Sequence, residues 1–286
     1  MISSSSNNTN TKNENDTFYG WVCPGKGQPL EWRKLSLKTF ENDNVEIKIT
    51  HCGICATDLH VMNSDWGPTD YPFVGGHEQE LIVIHVMNVK NVKIIKKTYA
   101  VKVLDELLQG SVVGVIGIGG LGHFAIQWAK ALGAKVIIFS TSNEKRKDAE
   151  MLGADEFILT TSNNNMGGSN PYLLSHMILC TSFGIHEFNW SYYLSFMEPN
   201  GTFILTTAPE AFLNGIPVHL ILQRQLSIVG AAVGSPKEIQ EMLIFVNEHL
   251  NEIKPWIEKI YSMDQIEEAI QVVKKGQAKY RVVLQV

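Results

Sequence analysis

Along residues 111–145 the spacing of apolar positions changes twice. Val112 to Ile116 is a short apolar run rich in β-branched residues, the pattern of a strand buried on both faces. Phe124, Ala125, Trp128, Ala129 and Leu132 then recur at helical spacing, and Gly133 stands where a helix ends. Val136 to Phe139 is a second buried run. Between the first strand and the helix lies Gly117-Ile118-Gly119-Gly120-Leu121-Gly122, which reads G-x-G-x-x-G. Strand, glycine turn, helix and strand together predict a βαβ unit of the dinucleotide-binding kind.

The pattern extends in both directions. Trp32 to Phe40 and Asn44 to Thr50 read as strands, the second alternating as Val45, Ile47 and Ile49. His51 to His60 reads as a strand end entering a short helix, Asn63 to Pro72 as a loop, and Leu81 to Val86 as a strand. Val89, Val92, Ile94 and Ile95 suggest strand, and Tyr99 to Leu108 a short helix. Glu144 to Leu152 predicts a helix closed by Gly153, followed by strands at Glu156 to Leu159 and within Pro171 to Leu179. A helix is predicted over Phe188 to Met197, stopped by Pro199-Asn200-Gly201. Phe203 to Thr206 and Leu226 to Val233 read as strands, Pro236 to Glu248 and Met263 to Lys275 as amphipathic helices, and Tyr280 to Val286 as a closing strand. The β/α alternation from 111 to 233 is the doubly wound parallel pattern. Met1 to Thr17 is almost entirely Ser, Asn and Thr and cannot bury enough apolar surface to offset its ordering entropy, so a disordered tail is expected.

The glycines carry the chemistry of the turn. Gly117 permits a tight turn off the strand, Gly119 lets backbone approach a pyrophosphate, and Gly122 allows close packing of helix on strand. Gly120 and Leu121 complete the turn, whose helix N-terminus offers unpaired N–H groups to phosphate. At the end of the second strand an NAD site usually carries an acid for the ribose 2′-hydroxyl. Here Ser140, Thr141 and Ser142 precede Lys145, Arg146 and Lys147, with no acid before Glu144. Hydroxyls and cations suit a 2′-phosphate, so NADP is the expected cofactor.

Composition narrows the classes. A chain of 286 residues suits one large or two modest domains. A net charge of −5 gives no support to nucleic acid as a partner, and no apolar run is long enough to span a bilayer. With no signal-peptide core, a cytoplasmic, reducing setting is expected, in which the four cysteines, Cys23, Cys52, Cys55 and Cys180, serve metal or core roles rather than disulfides.

Hydride transfer needs an electrophile beside the reacting oxygen, and zinc held by thiolate and imidazole supplies one. Cys55 and His77 are candidates on residue type. The order Cys-Gly-Ile-Cys-Ala-Thr-Asp-Leu-His, Gly-His-Glu, Gly-Ile-Gly-Gly-Leu-Gly-His, Ser-Thr-Ser before basic residues, and Lys-Tyr-Arg near the end resembles the cinnamyl-alcohol-dehydrogenase branch of the zinc-dependent medium-chain alcohol dehydrogenases. The resemblance covers nearly the whole chain after the tail. It implies a Rossmann doubly wound sheet inserted in a GroES-like, β-rich catalytic domain. The catalytic part would span 18–104 and 235–286 and the NADP-binding part 105–234. Residue by residue, it implies Cys55 and His77 as zinc ligands and Glu78 as the carboxylate beside the metal. Thr57 would take the alcohol proton, His60 would pass it on, Asp58 would orient a ligand histidine, and Arg281 would contact the pyrophosphate. A small alcohol or aldehyde is the implied substrate and a homodimer the implied assembly, with Leu226 to Val233 as the candidate edge.

The chain also departs from that family. The lobe with four closely spaced cysteines for a structural zinc and the third catalytic cysteine have no counterpart, because about Lys97 leads directly to Thr98-Tyr99. Structural zinc is therefore not expected, and catalytic zinc would have the incomplete set Cys55, His77 and Glu78. Three functions follow for testing: an NADP-dependent alcohol dehydrogenase or aldehyde reductase, impaired or not by the shortening; an NADP(H)-binding pseudoenzyme without zinc; and a dithiol redox protein built on Cys52 and Cys55.

Overall fold

Two sheets divide the chain, and the polypeptide leaves one, builds the other and returns. The computed structural model describes residues 18–36, 45–86, 109–160, 173–181, 188–207, 215–231 and 234–286. The expected tail and the strand and helix read over 87–108 lie outside these. A hairpin of β1 (Phe18–Val22) and β2 (Glu31–Leu35) comes first, with Trp21 opposite Trp32. Next come β3 (Val45–Gly53), α1 (Ala56–Met62) and β4 (Glu78–Val86). β3 and β4 join the later strands β11 (Ile257–Ser262) and β12 (Arg281–Gln285) in the order β11-β12-β3-β4. Ile54 and Leu59, around α1, pack with Tyr261, Val282 and Leu284 and with Ala269 and Ile270 of α7 (Ile266–Lys274).

Between β4 and β11 the chain forms a six-stranded, wholly parallel sheet. Its strands are β5 (Val112–Ile116), β6 (Lys135–Ser140), β7 (Glu156–Leu159), β8 (Leu174–Leu179), β9 (Met197–Leu205) and β10 (Ser227–Gly230). The order β10-β9-β8-β5-β6-β7 turns back at β5. That reversal opens a crevice at the strand ends, where such sheets bind ligands. Both faces are covered. Val136 and Ile138 pack on the side of α2 (Gly122–Ala131) and α6 (Pro236–Glu248). Ile137 and Phe139 face the opposite layer, with Trp190, Tyr193 and Leu194 of α4 (Trp190–Leu194). All four of these β6 side chains are buried, and burial contributes about 1.5–3 kcal/mol for each such side chain.

Several boundaries move. The strand expected over Trp32 to Phe40 is β2, Glu31–Leu35, and 37–44 lies outside the described residues. The helix expected over Glu144 to Leu152 is a 3₁₀ turn at Asn143–Lys145 followed by α3 (Arg146–Met151). The helix expected over Phe188 to Met197 is only α4. Its supposed stop, Pro199-Asn200-Gly201, falls inside β9 instead. There the pairing with β8 jumps from Leu174↔Met197 to His176↔Thr202, so the turn-formers fill an irregularity between paired positions. Asn200 takes the left-handed conformation this requires. The last strand of the parallel sheet is shorter than Leu226 to Val233, and it lies at the edge expected for it. Among the described residues no helix is long and apolar enough to cross a membrane.

Candidate active site

The glycine turn sits at the C-terminal end of β5, beside the switch point. Gly117 has φ +88, a value side chains rarely adopt, and a Cβ there would meet Thr181 at 2.8 Å. A Cβ on Gly122 would lie 2.0 Å from the Gly117 carbonyl oxygen, so only glycine lets α2 start this close to the strand. Around Gly119 nothing lies within 4 Å of such a Cβ, which leaves its backbone open to an incoming group. Leu121 stands at the N-cap of α2.

At the ribose end, Ser140 is buried at the tip of β6. Its hydroxyl donates to the Ser142 carbonyl and accepts from the Ser142 N–H, which folds the chain back tightly. Ser142 in turn caps the 3₁₀ turn by accepting from Glu144 N–H at 3.3 Å. Thr141 is exposed at the tip. Lys145 crosses back to the glycine turn, where its Nζ donates to the Ile118 carbonyl at 2.8 Å. Burial pulls its pKa below the ordinary lysine value. Arg146 instead lies over the Phe157 ring, and Lys147 is exposed. Of the three cations, Lys145 is the one that touches the turn.

The second cluster forms where β3, α1 and β4 meet. Donor atoms of Cys55, His77 and Glu78 all lie within 4.8 Å of one another, the one group of three possible metal ligands among the described residues. Asp58, in the first turn of α1, organises them. One carboxylate oxygen accepts the Cys55 N–H at 3.1 Å, and the other accepts from Gly76 N–H at 2.9 Å and from His77 Nδ1 at 3.1 Å. Burial alone would raise the Asp58 carboxyl, but these donors outweigh it and hold its pKa below the ordinary value. The hydrogen bond from His77 to Asp58, with the Cys55 sulfur beside it, carries the imidazole up to about 10. With Nδ1 committed, the buried Nε2 is left facing the Cys55 sulfur without a well-directed hydrogen bond. An orphaned ring nitrogen in a group of thiol, imidazole and carboxylate fits a zinc ion, whose ligand histidines are characteristically fixed by a carboxylate behind them.

Arg281 joins the two clusters. Its Nη1 donates to both Glu78 oxygens, at 2.6 and 2.8 Å. The same guanidinium lies 3.2 Å from where a Gly120 Cβ would stand. Gly53, opposite Glu78 in the sheet, makes room for the carboxylate, since a Cβ there would meet Glu78 Oε2 at 2.6 Å. Further along α1, His60 is buried, its Nδ1 is 2.9 Å from Asp65 Oδ2, and its ring stacks on Trp66 at 4.9 Å. His60 and Trp66 line a cavity of about 330 Å³ with Pro68, Thr69, Asp70 and Phe73. Thr57 lies between Cys55 and Asp58 in the first turn of the same helix. Sequence alone assigns Asp65, Trp66 and Gly53 no role at the site. Strand register reveals the role of Gly53, and only the loop's path brings Asp65 back to His60.

The remaining cysteines stand apart. Cys23 is buried at a bridge to Phe73, and Cys180 is buried behind Gly122 with its thiol pushed up to about 12 by burial. The Cys52 thiol is likewise pushed up to about 12, by burial first and then by the charges of Asp58 and Glu78. A thiol that stays protonated is a poor nucleophile, which counts against the dithiol reading.

Comparison with known proteins settles the family. Residues 41–135 match the alcohol dehydrogenase GroES-like domain, and residues 120–248 match the zinc-binding dehydrogenase family. The chain is 30% identical to 8-hydroxygeraniol dehydrogenase of Catharanthus roseus, with 94% of each covered. It belongs to the zinc-dependent alcohol dehydrogenases. Within this family it is also 29% identical to the aldehyde reductase AdhA of Synechocystis sp., over 91% of this chain and 95% of the relative. A cinnamyl alcohol dehydrogenase structure from Sorghum bicolor superposes with a TM-score of 0.84 at 24% identity, covering 94% of this chain and 97% of that one. This alcohol dehydrogenase is shorter inside: its alignment with the Catharanthus protein runs over 348 positions, against a chain of 286 residues. As a member of the family it is an oxidoreductase of the nicotinamide- and zinc-using type.

Proposed function

We propose that this alcohol dehydrogenase transfers hydride between NADP(H) and a small primary alcohol or aldehyde. Arg281 carries the reading, because one guanidinium lies against both the glycine turn and the Cys55–His77–Glu78 group. A cofactor on the turn and a substrate at the metal group would thereby face each other. NADP is favoured over NAD by Ser140, Thr141, Ser142 and Lys145 and by the lack of an acid at the tip of β6. Residues 18–104 with 235–286 form the GroES-like catalytic part in this reading, and 105–234 the nucleotide-binding part.

Zinc would be held by Cys55 and His77, with Glu78 as the third group and no third cysteine. No structural zinc is expected. When bound, zinc supplies a Lewis acid for the substrate oxygen and the nicotinamide supplies or accepts hydride. The chain's own residues do the rest. Asp58 fixes the His77 ring through Nδ1, so Nε2 is the nitrogen left for the metal. Thr57 accepts the alcohol proton at its hydroxyl. His60 passes it on through the ring whose Nδ1 is anchored on Asp65. Trp66, Pro68 and Phe73 give the cavity an apolar wall that suits a small hydrocarbon-bearing alcohol.

The exposed side chains Val218 and Leu222 of α5 (Val218–Arg224), with Val229 on edge strand β10, support a homodimer through that edge. A cytoplasmic setting agrees with free cysteines throughout the described residues.

A second reading has one observation in its favour: both Glu78 oxygens are occupied by Arg281, which leaves Cys55 and His77 as the uncommitted ligands. The protein would then bind NADP(H) without zinc chemistry. Titration of tryptophan fluorescence with NADPH and NADH, combined with metal analysis, decides. NADPH bound more tightly than NADH, with one zinc per chain and NADPH-dependent reduction of an aromatic aldehyde, is the expected result. NADPH binding without zinc supports the second reading, and no saturable binding refutes both.

A further inference from the structure

His123 follows the glycine turn directly and is wholly buried, yet the reaction gives it no task. Its Nδ1 lies 3.1 Å from the Gly119 carbonyl oxygen, and its Nε2 lies 3.4 Å from the Trp256 backbone nitrogen. A carbonyl only accepts and an amide N–H only donates. The ring is therefore neutral, with the proton on Nδ1. The Gly119 carbonyl also accepts the His123 backbone N–H at 3.1 Å, so it is pinned from two sides and turned toward the helix. Beyond the imidazole, the Trp256 carbonyl accepts the N–H groups of Tyr280 at 3.2 Å and Arg281 at 3.0 Å. Gln127, one turn further along α2, clasps the same segment: it donates to the Lys254 carbonyl at 3.0 Å and accepts the Lys254 N–H at 2.7 Å. Tyr280 stacks on the His123 ring at 5.3 Å and donates to Asp148 at 2.8 Å.

We propose that His123 is a positioning residue: through the Trp256 peptide it sets the backbone of Arg281 against the glycine turn, so that one guanidinium is shared between Glu78 and the bound cofactor's pyrophosphate. The inference rests on the reading of the turn as the cofactor site and adds a connection that the family resemblance does not contain. A series of contacts runs from the Gly119 carbonyl through the imidazole to the Trp256 N–H, and from the carbonyl of the same residue through Arg281 to Glu78. The cofactor and Glu78 then compete for the same positive charge, but only while the His123 link holds Arg281 within reach of both.

The test is a double-mutant cycle read as NADPH affinity by fluorescence titration, in the full chain and without added metal. In the wild-type background Glu78→Gln removes the negative charge that competes for the guanidinium and should tighten NADPH binding by about threefold or more, a coupling typical of residues in one network. With His123→Asn, which keeps a donor for Gly119 but no acceptor for Trp256, the same Glu78→Gln change should shift affinity less than about twofold. His123→Gln, which reaches Trp256 but not Gly119, breaks the other link and should lose the coupling too. It also serves should the Asn variant fail to fold. A purely structural His123 would lower stability and leave the Glu78→Gln fold-change untouched. Equal fold-changes in the wild-type and both variant backgrounds overturn the proposal. No saturable NADPH binding by the wild-type chain overturns the cofactor reading itself, and the proposal with it.

Discussion

Acid should loosen this protein through His123. The imidazole is fully buried between Gly119 and the 254–256 segment. Burial pushes its pKa from 6.5 to about 4, opposed in part by the hydrogen bond to the Gly119 carbonyl and helped to a lesser degree by the nearby Arg281 charge. In the unfolded chain the same ring titrates near its ordinary value. As pH falls below about 6.5 the unfolded state takes up a proton that the folded state refuses, and stability drops until the folded ring also titrates. A tenfold difference in proton affinity between the two states corresponds to about 1.4 kcal/mol, so the full loss is about 3 kcal/mol, of which about 2 kcal/mol is gone by about pH 5. Above neutrality the effect vanishes. Urea unfolding of the wild type and of His123→Gln at a series of pH values isolates it: the variant should lack this part of the acid slope. Histidine NMR reads the ring directly. A His123 resonance titrating near 6.5 in the folded protein, or wild-type and variant stabilities that fall in parallel with acid, would show that His123 is not the source of the acid loss.

Three further outcomes follow from the geometry. Asp58→Asn removes the charge that anchors His77 Nδ1 and should weaken zinc binding about 10- to 100-fold in a chelator competition, whereas unchanged zinc affinity would show that His77 is held by something else. Gly122→Ala places a Cβ 2.0 Å from the Gly117 carbonyl oxygen; it should abolish NADPH binding and lower the melting temperature, and retention of both would mean that helix and strand are not in close contact at the turn. Lys145→Ala takes away the cation beside the turn and should weaken NADPH while sparing NADH, measured as two dissociation constants. An equal loss for both cofactors would remove Lys145 from the 2′-phosphate site.

The parallel sheet was readable because its strands are buried on both faces, so apolar runs such as Val136 to Phe139 announce themselves without any partner being known. The capped helix α6 was equally plain: Ser235 accepts from Glu238 N–H, and Pro236 opens the helix. Hidden elements are those whose side chains contradict the rule. The apolar Val218 and Leu222 of α5 face solvent, and β11 leaves Ile257 and Ile260 exposed while a register shift breaks its alternation. At the site, Cys55, Asp58, His77 and Glu78 were reached through the family resemblance that their motif order carries, not through spacing alone. The His123–Trp256 contact spans 133 positions and lies beyond local pattern. So does the path by which Arg281 comes to rest between the two clusters.

The order of the strands has a bearing on how the molecule is made. In the four-stranded sheet β12 lies between β11 and β3, so the edge of β3 finds its neighbour only when residues 281–285 have been translated. By then the whole six-stranded sheet has left the ribosome and can fold as a unit. The nascent chain therefore carries an open-edged β3–β4 pair through most of synthesis. Molecules stalled before β12 will be those that chaperones must hold apart.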